Sequence, residues 1–459
     1  MPSVPFTPAA YDRGAFGLPV ARLQNLYVEK TGAGPTETAR LPRPSLVESS
    51  EYGSGPVRGF LRKPGVFSGD LFTVSGTTAY RAGASIGTIA GTGLVRMDAS
   101  GDTVMFVTPS GAAYRYTSAG LVVFDDIDLG QVIDVCFVGS RFVFARKDSG
   151  VFVWTPAGDY TSIEGLDFAT AEGNPDNLVA CSVDGDTLVL HGSASTEFWD
   201  QTGDDPPFQR ISGARFGRGC AAQGSVTTLD NALAWIADDR TVYLGGTSAQ
   251  RISNHGVEAA LTRCTSIADA TAYEARIEGH VFLVVVIPGQ TAFAYDVSTQ
   301  SWAEWTSYGR DVFRGRLGLL YDGVTYVADD TTGQVYALTP GVYADDGQPV
   351  TYLASAFVAS IGKPVRCDSI VVQGARGVGL STGQGSAPIT EIRWSDDQGK
   401  TWSHWRQSTP GAIGEYRSRA AWRRLGLIRE PGRAFEVRTT DPVLAQMSAL
   451  VMNEPFAHG

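Results

Sequence analysis

A unit of apolar strand, tight turn, second strand, second turn and aromatic-ended strand recurs along the middle of the chain. No other feature restricts the fold as much. It reads LVRMDASGDTVMFVTPSGAAYRY from Leu94, VIDVCFVGSRFVFARKDSGVFVW from Val132 and LVACSVDGDTLVLHGSASTEFW from Leu178. It returns as VTTLDNALAWIADDRTVYL from Val226, AYEARIEGHVFLVVVIPGQTAFAY from Ala272 and RLGLLYDGVTYVADDTTGQVYAL from Arg316. Successive starts fall roughly 37 to 49 residues apart, the length of a four-stranded propeller blade. Within each unit the apolar residues alternate or run in short blocks bounded by Gly and Asp, which is the period of strands and not of helices. One such sheet cannot bury both faces alone, whereas radial stacking covers the faces and leaves only short edges. The reading is an all-β chain built on a β-propeller of about six blades.

The two ends differ from this pattern. Residues 1–61, rich in Pro, Gly, Ser and Thr, predict an extended N-terminal arm with little core of its own. The propeller is expected over 62–345, with VFSGDLFTVSGTTAYRAG (Val66 to Gly83) helping to supply its first blade. From 346 to 459 the spacing changes. CDSIVVQG, ITEIRWS, AWRRLGLIR and AFEVRTT predict a small C-terminal β-sandwich-like module, able to contribute strands that complete the propeller. The one helical stretch of note is HGVEAALTR, around Val257 to Arg263.

Composition excludes several function classes. A net charge of −11 does not suit a protein that grips nucleic acid by its phosphates. The charge is uneven, because Ser403 to Arg438 carries eight Arg against three Glu. Within that stretch Arg417, Arg419, Arg423 and Arg424 are candidate residues for docking an acidic partner, the plainer alternative being a solvated strand face. The five cysteines are far apart and form no C-x-x-C, so neither a disulfide framework nor a zinc site is signalled, and a reducing cytoplasm suits their folding. The start MPSVPFTP lacks the basic and apolar regions of a secretory signal, and the apolar run Val281 to Ile287 is too short to span a membrane.

No stretch carries catalytic chemistry. Ser395, Asp397, Gly399, Thr401 and Trp402 fit the Asp-box pattern S-x-D-x-G-x-T-W found in sialidases, where the Asp caps a β-hairpin turn and the Trp packs beneath it. The box is structural, and a glycosidase would also need an arginine cluster and a nucleophile pair. Gly379 to Gly383 is a literal G-x-S-x-G, but a glycine run precedes it and no helix can follow, so it reads as a loop. Asp125-Asp126-Ile-Asp128 and Asp329-Asp330 lack EF-hand spacing and read as turn caps. His191, His255, His280, His404 and His458 are dispersed without ligand spacing. The expectation is no catalytic residue, no cofactor and no metal.

Several segments, in order, resemble the packaged-DNA stabilisation family, the tail-hub or nozzle proteins of short-tailed phages (podoviruses). They are RLQNLYVE (Arg22 to Glu29), KPGV (Lys63 to Val66), GTIAGTG (Gly87 to Gly93) and LDFATAEGNPDNLVA (Leu166 to Ala180). TEFWDQTGD (Thr196 to Asp204), PFQRISGA (Pro207 to Ala214) and GCAAQGSV (Gly219 to Val226) continue the series. QRISNH (Gln250 to His255), EGHVFLVVVIP (Glu278 to Pro288) and YDVSTQSWAEW (Tyr295 to Trp305) complete it. The resemblance implies a virion protein of the phage tail, assembled in the host cytoplasm as a homohexameric ring below the portal and its adaptor. Such a hub closes the head, retains packaged DNA and holds the tail needle and tail fibres or spikes. DNA is then only passing cargo in the lumen, there is no membrane insertion, and the family brings no catalytic residues. The alternative is a carbohydrate-binding or sialidase-like propeller, prompted by the single Asp box and by Trp394, Trp402 and Trp405.

Overall fold

The computed structural model describes residues 3–13, 20–32, 37–171 and 173–454. Within them the repeat becomes a ring of seven four-stranded antiparallel blades, where the sequence pattern suggested about six. Blades 1 to 6 span residues 57–88, 96–123, 132–170, 178–216, 227–251 and 271–304. Blade 7 takes three strands from 315–339, and its fourth is Ser45–Glu51 from near the N-terminus, paired antiparallel with Gln334–Thr339. This pairing closes the ring between the two ends of the propeller chain. The first blade escapes the sequence repeat because residues 62–71, with a 3-10 turn at Phe67–Gly69, separate its first strand from the rest.

The ring holds together through apolar clusters between successive blades. Alternation along each strand sends one set of side chains into each of the two neighbouring clefts. Between blades 3 and 4, Phe152, Trp154, Trp199 and Phe208 are all buried, with Phe152 and Trp199 edge to face at 5.0 Å. Burying each such side chain stabilises the fold by about 1.5–3 kcal/mol. The five cysteines are free and buried, as their apolar flanks suggest. The expected helix forms at His255–Arg263, where Asn254 caps it by accepting from the backbone N–H of Gly256 and Val257. An added Cβ on Gly256 would lie 2.7 Å from the backbone nitrogen of Asp12, so the N-terminal segment passes tightly over this helix start. Among the described residues no helix is long and apolar enough to cross a membrane.

The C-terminal module is a sandwich of two sheets, and the propeller runs into one of them without a break. The outermost strand of blade 6, Ser301–Glu304, pairs with Leu23–Gln24, which pairs in turn with Tyr352–Ala359. Gly432–Thr439, Thr390–Ser395 and Arg406–Ser408 follow in that order. The second sheet runs Leu26–Lys30, Thr38–Pro42, Met447–Met452, Ser369–Gly374 and Ala421–Arg423, with Ser3–Pro5 also paired to Met447–Met452. The expected extended arm over 1–61 is therefore corrected. Its described strands belong to the sandwich, to the closure of blade 7 and to blade 1. Pro and Gly enrichment concealed the buried residues Phe6, Leu23, Leu26, Val28 and Leu46 that tie it down.

Two polar clasps fasten this segment. Arg43 and Asp345 are fully buried and form a bidentate pair, Nη2 to Oδ2 at 2.6 Å and Nη1 to Oδ1 at 3.1 Å. The remaining guanidinium N–H groups donate to the carbonyls of Pro44 and Thr306 and to Asn25 Oδ1. Asp345 also accepts from the backbone N–H of Leu46. The second clasp is His280 on blade 6. Its Nδ1 lies 2.8 Å from Asp296 and its Nε2 lies 2.7 Å from Glu29 of the N-terminal segment. Ser298 Oγ also approaches Nδ1, at 3.0 Å, and the rings of Tyr27 and Phe282 pack on the imidazole. Both nitrogens are thus taken up by structural partners, and His280 presents no free nitrogen to act as a base. Burial disfavours the imidazolium, but the bonds to Glu29 and Asp296 outweigh it and lift His280 above its ordinary value.

Arg43→Met would leave the Asp345 carboxylate buried and unpaired, at a cost of about 3–5 kcal/mol. Urea unfolding should record that loss, and adding Asp345→Leu should recover part of it. For His280 the raised folded pKa means the clasp stabilises fully below the unfolded value near 6.5 and weakens as pH rises through the folded one. His280→Gln is expected to lower Tm more at pH 6 than at pH 9, and a pH-independent difference would contradict this.

Candidate docking surfaces

The Asp-box residues form a capped turn at the end of Thr390–Ser395. Asp397 accepts from the Thr401 backbone N–H at 2.8 Å and its hydroxyl at 2.6 Å, and from the Ser395 hydroxyl at 2.7 Å. These bonds, the Thr401 hydroxyl first, hold the Asp397 carboxyl well below the ordinary carboxylate range. Gly399 has φ 96°, a left-handed conformation that favours glycine, and its carbonyl accepts from Trp402 Nε1 at 3.1 Å. The carboxylate is fully occupied with its own turn.

The three tryptophans that prompted a carbohydrate reading are occupied as well. The Arg393 guanidinium lies 4.5 Å from the Trp402 ring centre and 4.6 Å from that of Trp405, and Arg438 stacks on Trp405 at 4.0 Å. Trp394 packs against the sandwich core, with Arg433 5.5 Å from its ring. Glu436 and Glu391 hold Arg393 and Arg438 in place. Cation–π contacts therefore occupy an indole face on each of these rings where a sugar could otherwise stack.

The arginine-rich stretch divides into two groups. Arg433 is buried and paired with Asp396, Arg438 is paired with Glu391, and Arg419 is paired with Glu454. Of the four residues proposed from sequence, Arg419 is thus engaged within the chain. Arg417, Arg423 and Arg424 are exposed at the edge of the sandwich farthest from the propeller, where Arg424 sits in a turn with φ 60°. Ile413 and Tyr416, 62% and 71% exposed, lie in the same edge loop. Sequence reasoning missed these two, because only exposure distinguishes them from core residues.

Other sequence candidates do not assemble into a site. Gly379 to Gly383 is loop, with Leu380 N–H donating to Gly385 O. Asp329 caps its own turn through Thr331 and Thr332, and Asp126 does so through Asp128. His191 is buried, His404 is exposed on the sandwich, and His458 lies outside the described residues. Among the described residues no three His, Cys, Asp or Glu come together as a metal site. Inner strands of blades 1, 2, 5, 6 and 7 line a pocket of about 160 Å³ that includes Phe60, Met97, Val226, Ala272 and Leu317. Gln223, from the linker before blade 5, reaches across to the Ile133 carbonyl of blade 3.

Comparison with known proteins agrees with this geometry. Residues 47–343 match the family model described as "Bacteriophage P22 Gp10, beta-propeller", beginning within the strand that closes blade 7. Residues 355–453 match "Bacteriophage P22 Gp10, beta-sandwich". The "Tail hub protein gp10" of Salmonella phage P22 is 24% identical over 407 residues, covering 81% of this chain and 83% of that protein. With most of its length matched in order by these two models, the chain belongs to the P22 Gp10 family of phage proteins.

Proposed function

We propose that this chain is the structural hub protein of a phage tail. The observation that carries the reading is the ordered match of both propeller and sandwich to the P22 Gp10 models, together with similarity to a tail hub protein over most of both chains. The carbohydrate-active alternative is disfavoured by the Asp box capping its own turn and by guanidiniums covering the tryptophans. The work is mechanical and not catalytic: copies form a ring, proposed as a homohexamer, below the portal and its adaptor, in virions assembled in the host cytoplasm. The needle and the tail fibres attach to that ring.

Gln223, reaching from before blade 5 to blade 3, crosses the inner side of the propeller. A cavity of about 160 Å³ admits a few waters and no duplex. The conduit for DNA is, in this reading, formed between copies and not through a propeller. An acidic chain of net charge −11 supports a wall along which DNA slides as cargo without being held. In this reading the propeller and the module beginning near residue 346 are two working units, and Arg417, Arg423 and Arg424 belong to a docking face.

Deletion of the gene in its phage, with complementation from a plasmid, tests the assignment. Packaged heads that lack tails and lose their DNA, and regain both on complementation, are the expected outcome. Normal tails and normal DNA retention in the deletion would overturn the assignment.

A further inference from the structure

Two exposed apolar patches with opposite charged rims lie at opposite ends of the molecule. The first is on the outer rim between blades 2 and 3. Ile127 is 95% exposed and Leu166 is 88% exposed, and Val123 and Phe168 are exposed beside them. The loops carrying them touch, because Asp126 accepts from the Ile163 backbone N–H at 3.1 Å. Segments 122–128 and 159–168 contain six carboxylates and no Lys or Arg. Arg115, which reaches into this region, donates to the Tyr160 carbonyl. The second patch is the distal edge of the sandwich, where Ile413 and Tyr416 are exposed. Segment 411–429 there contains five Arg and one Glu. Arg417, Arg424 and Arg429 have no ion-pair partner among the described residues.

Large apolar side chains left in water at such exposure mark surfaces meant for a partner. Their rims specify one of opposite charge, and each patch supplies what the other lacks. They cannot meet within one chain. One sheet of the sandwich extends from the outermost strand of blade 6, and the arginine edge, Ala421–Arg423, is the last strand of the other sheet, at the end opposite Leu26–Lys30. Blades 2 and 3 are each three steps from blade 6 around the ring of seven, in opposite directions. The acidic patch therefore faces away from the sandwich. A contact between unlike patches on opposite sides is heterologous, and repeated with rotation it closes into a ring.

We propose that copies of this chain associate head to tail, the arginine edge of one sandwich docking on the acidic rim between blades 2 and 3 of the next. The occupant of each patch is a second copy of the chain. This deepens the ring reading given above and rests on it for the expectation that copies assemble. The surfaces themselves are assigned from charge, exposure and placement.

Cross-linking of the full-length protein provides the test. All five native cysteines are buried, so single cysteines introduced as Ile127→Cys and Tyr416→Cys are the reactive ones. With a short flexible bismaleimide, a mixture of the two variants should give covalent dimers, while either variant alone gives none. As a second arm, Arg417→Glu with Arg424→Glu should weaken self-association in sedimentation at least tenfold. Combining these with Asp125→Lys and Glu164→Lys should restore it. Dimers from Ile127→Cys alone would mean a two-fold contact and overturn the proposal. Multimers that persist without mixed cross-links and ignore charge reversal would also overturn it, while leaving the tail-hub reading intact. Protein that stays monomeric and uncross-linked at every concentration would count against both.

Discussion

The Arg43–Asp345 pair is the point at which the separate parts of this chain become one body. The two charges are taken wholly out of water, which is costly unless every hydrogen-bonding group is satisfied. Here all five guanidinium N–H groups have acceptors, and Phe313 lies 4.8 Å beneath the cation. The partners come from three places: Asn25 and Pro44 in the N-terminal segment, Thr306 after blade 6, and Asp345 after blade 7. Asn25, at φ 54°, in turn reaches the carbonyl of Thr351 at the entry to the sandwich. Such a node favours a single arrangement, because displacing any one segment leaves a buried charge or amide unsatisfied.

That node explains why the closing strand of the propeller and the first strands of the sandwich come from the same N-terminal stretch. Leu46, whose N–H donates to Asp345, is the second residue of the strand Ser45–Glu51 that completes blade 7. Leu23 and Gln24, just before Asn25, bridge blade 6 to the sandwich sheet. Arg22 adds an ion pair to Glu304 on the same blade edge. A propeller and a sandwich joined only by a linker would swing. Joined by a shared sheet and a buried ion pair, they hold a fixed angle, which the proposed ring, with contacts at both extremities, requires.

Blades 2 to 7 were legible in the sequence because the first three strands of each follow one another through short hairpins, so that alternation and turn residues recur at one spacing. Blade 1 was not, since residues 62–71 interrupt it after its first strand. Nor could local pattern reveal that Ser45–Glu51 pairs with Gln334–Thr339, because strand propensity names no partner across such a separation. The Asp box was read for what it is, since its residues bond within a few positions of one another. The arginine stretch was only half legible. Charge composition located it, but the division between Arg433, spent on Asp396, and Arg417, left in water, depends on burial that composition does not encode. Ile127 and Tyr416 were invisible for the same reason, as they sit in irregular loops where no period separates core from surface.

The segregation of charge then becomes the functional argument. Salt screening confines surface electrostatics to roughly 10 Å, so charge is felt at a distance only where residues of like sign are gathered into patches. This chain gathers them at its two extremities and places bare apolar side chains at the centre of each. Charge selects the partner and its orientation, while apolar contact supplies the affinity. The same arrangement keeps like ends apart, because two acidic rims or two arginine edges repel each other. A subunit built this way disfavours pairing by two-fold symmetry and favours repetition, as the proposed ring requires.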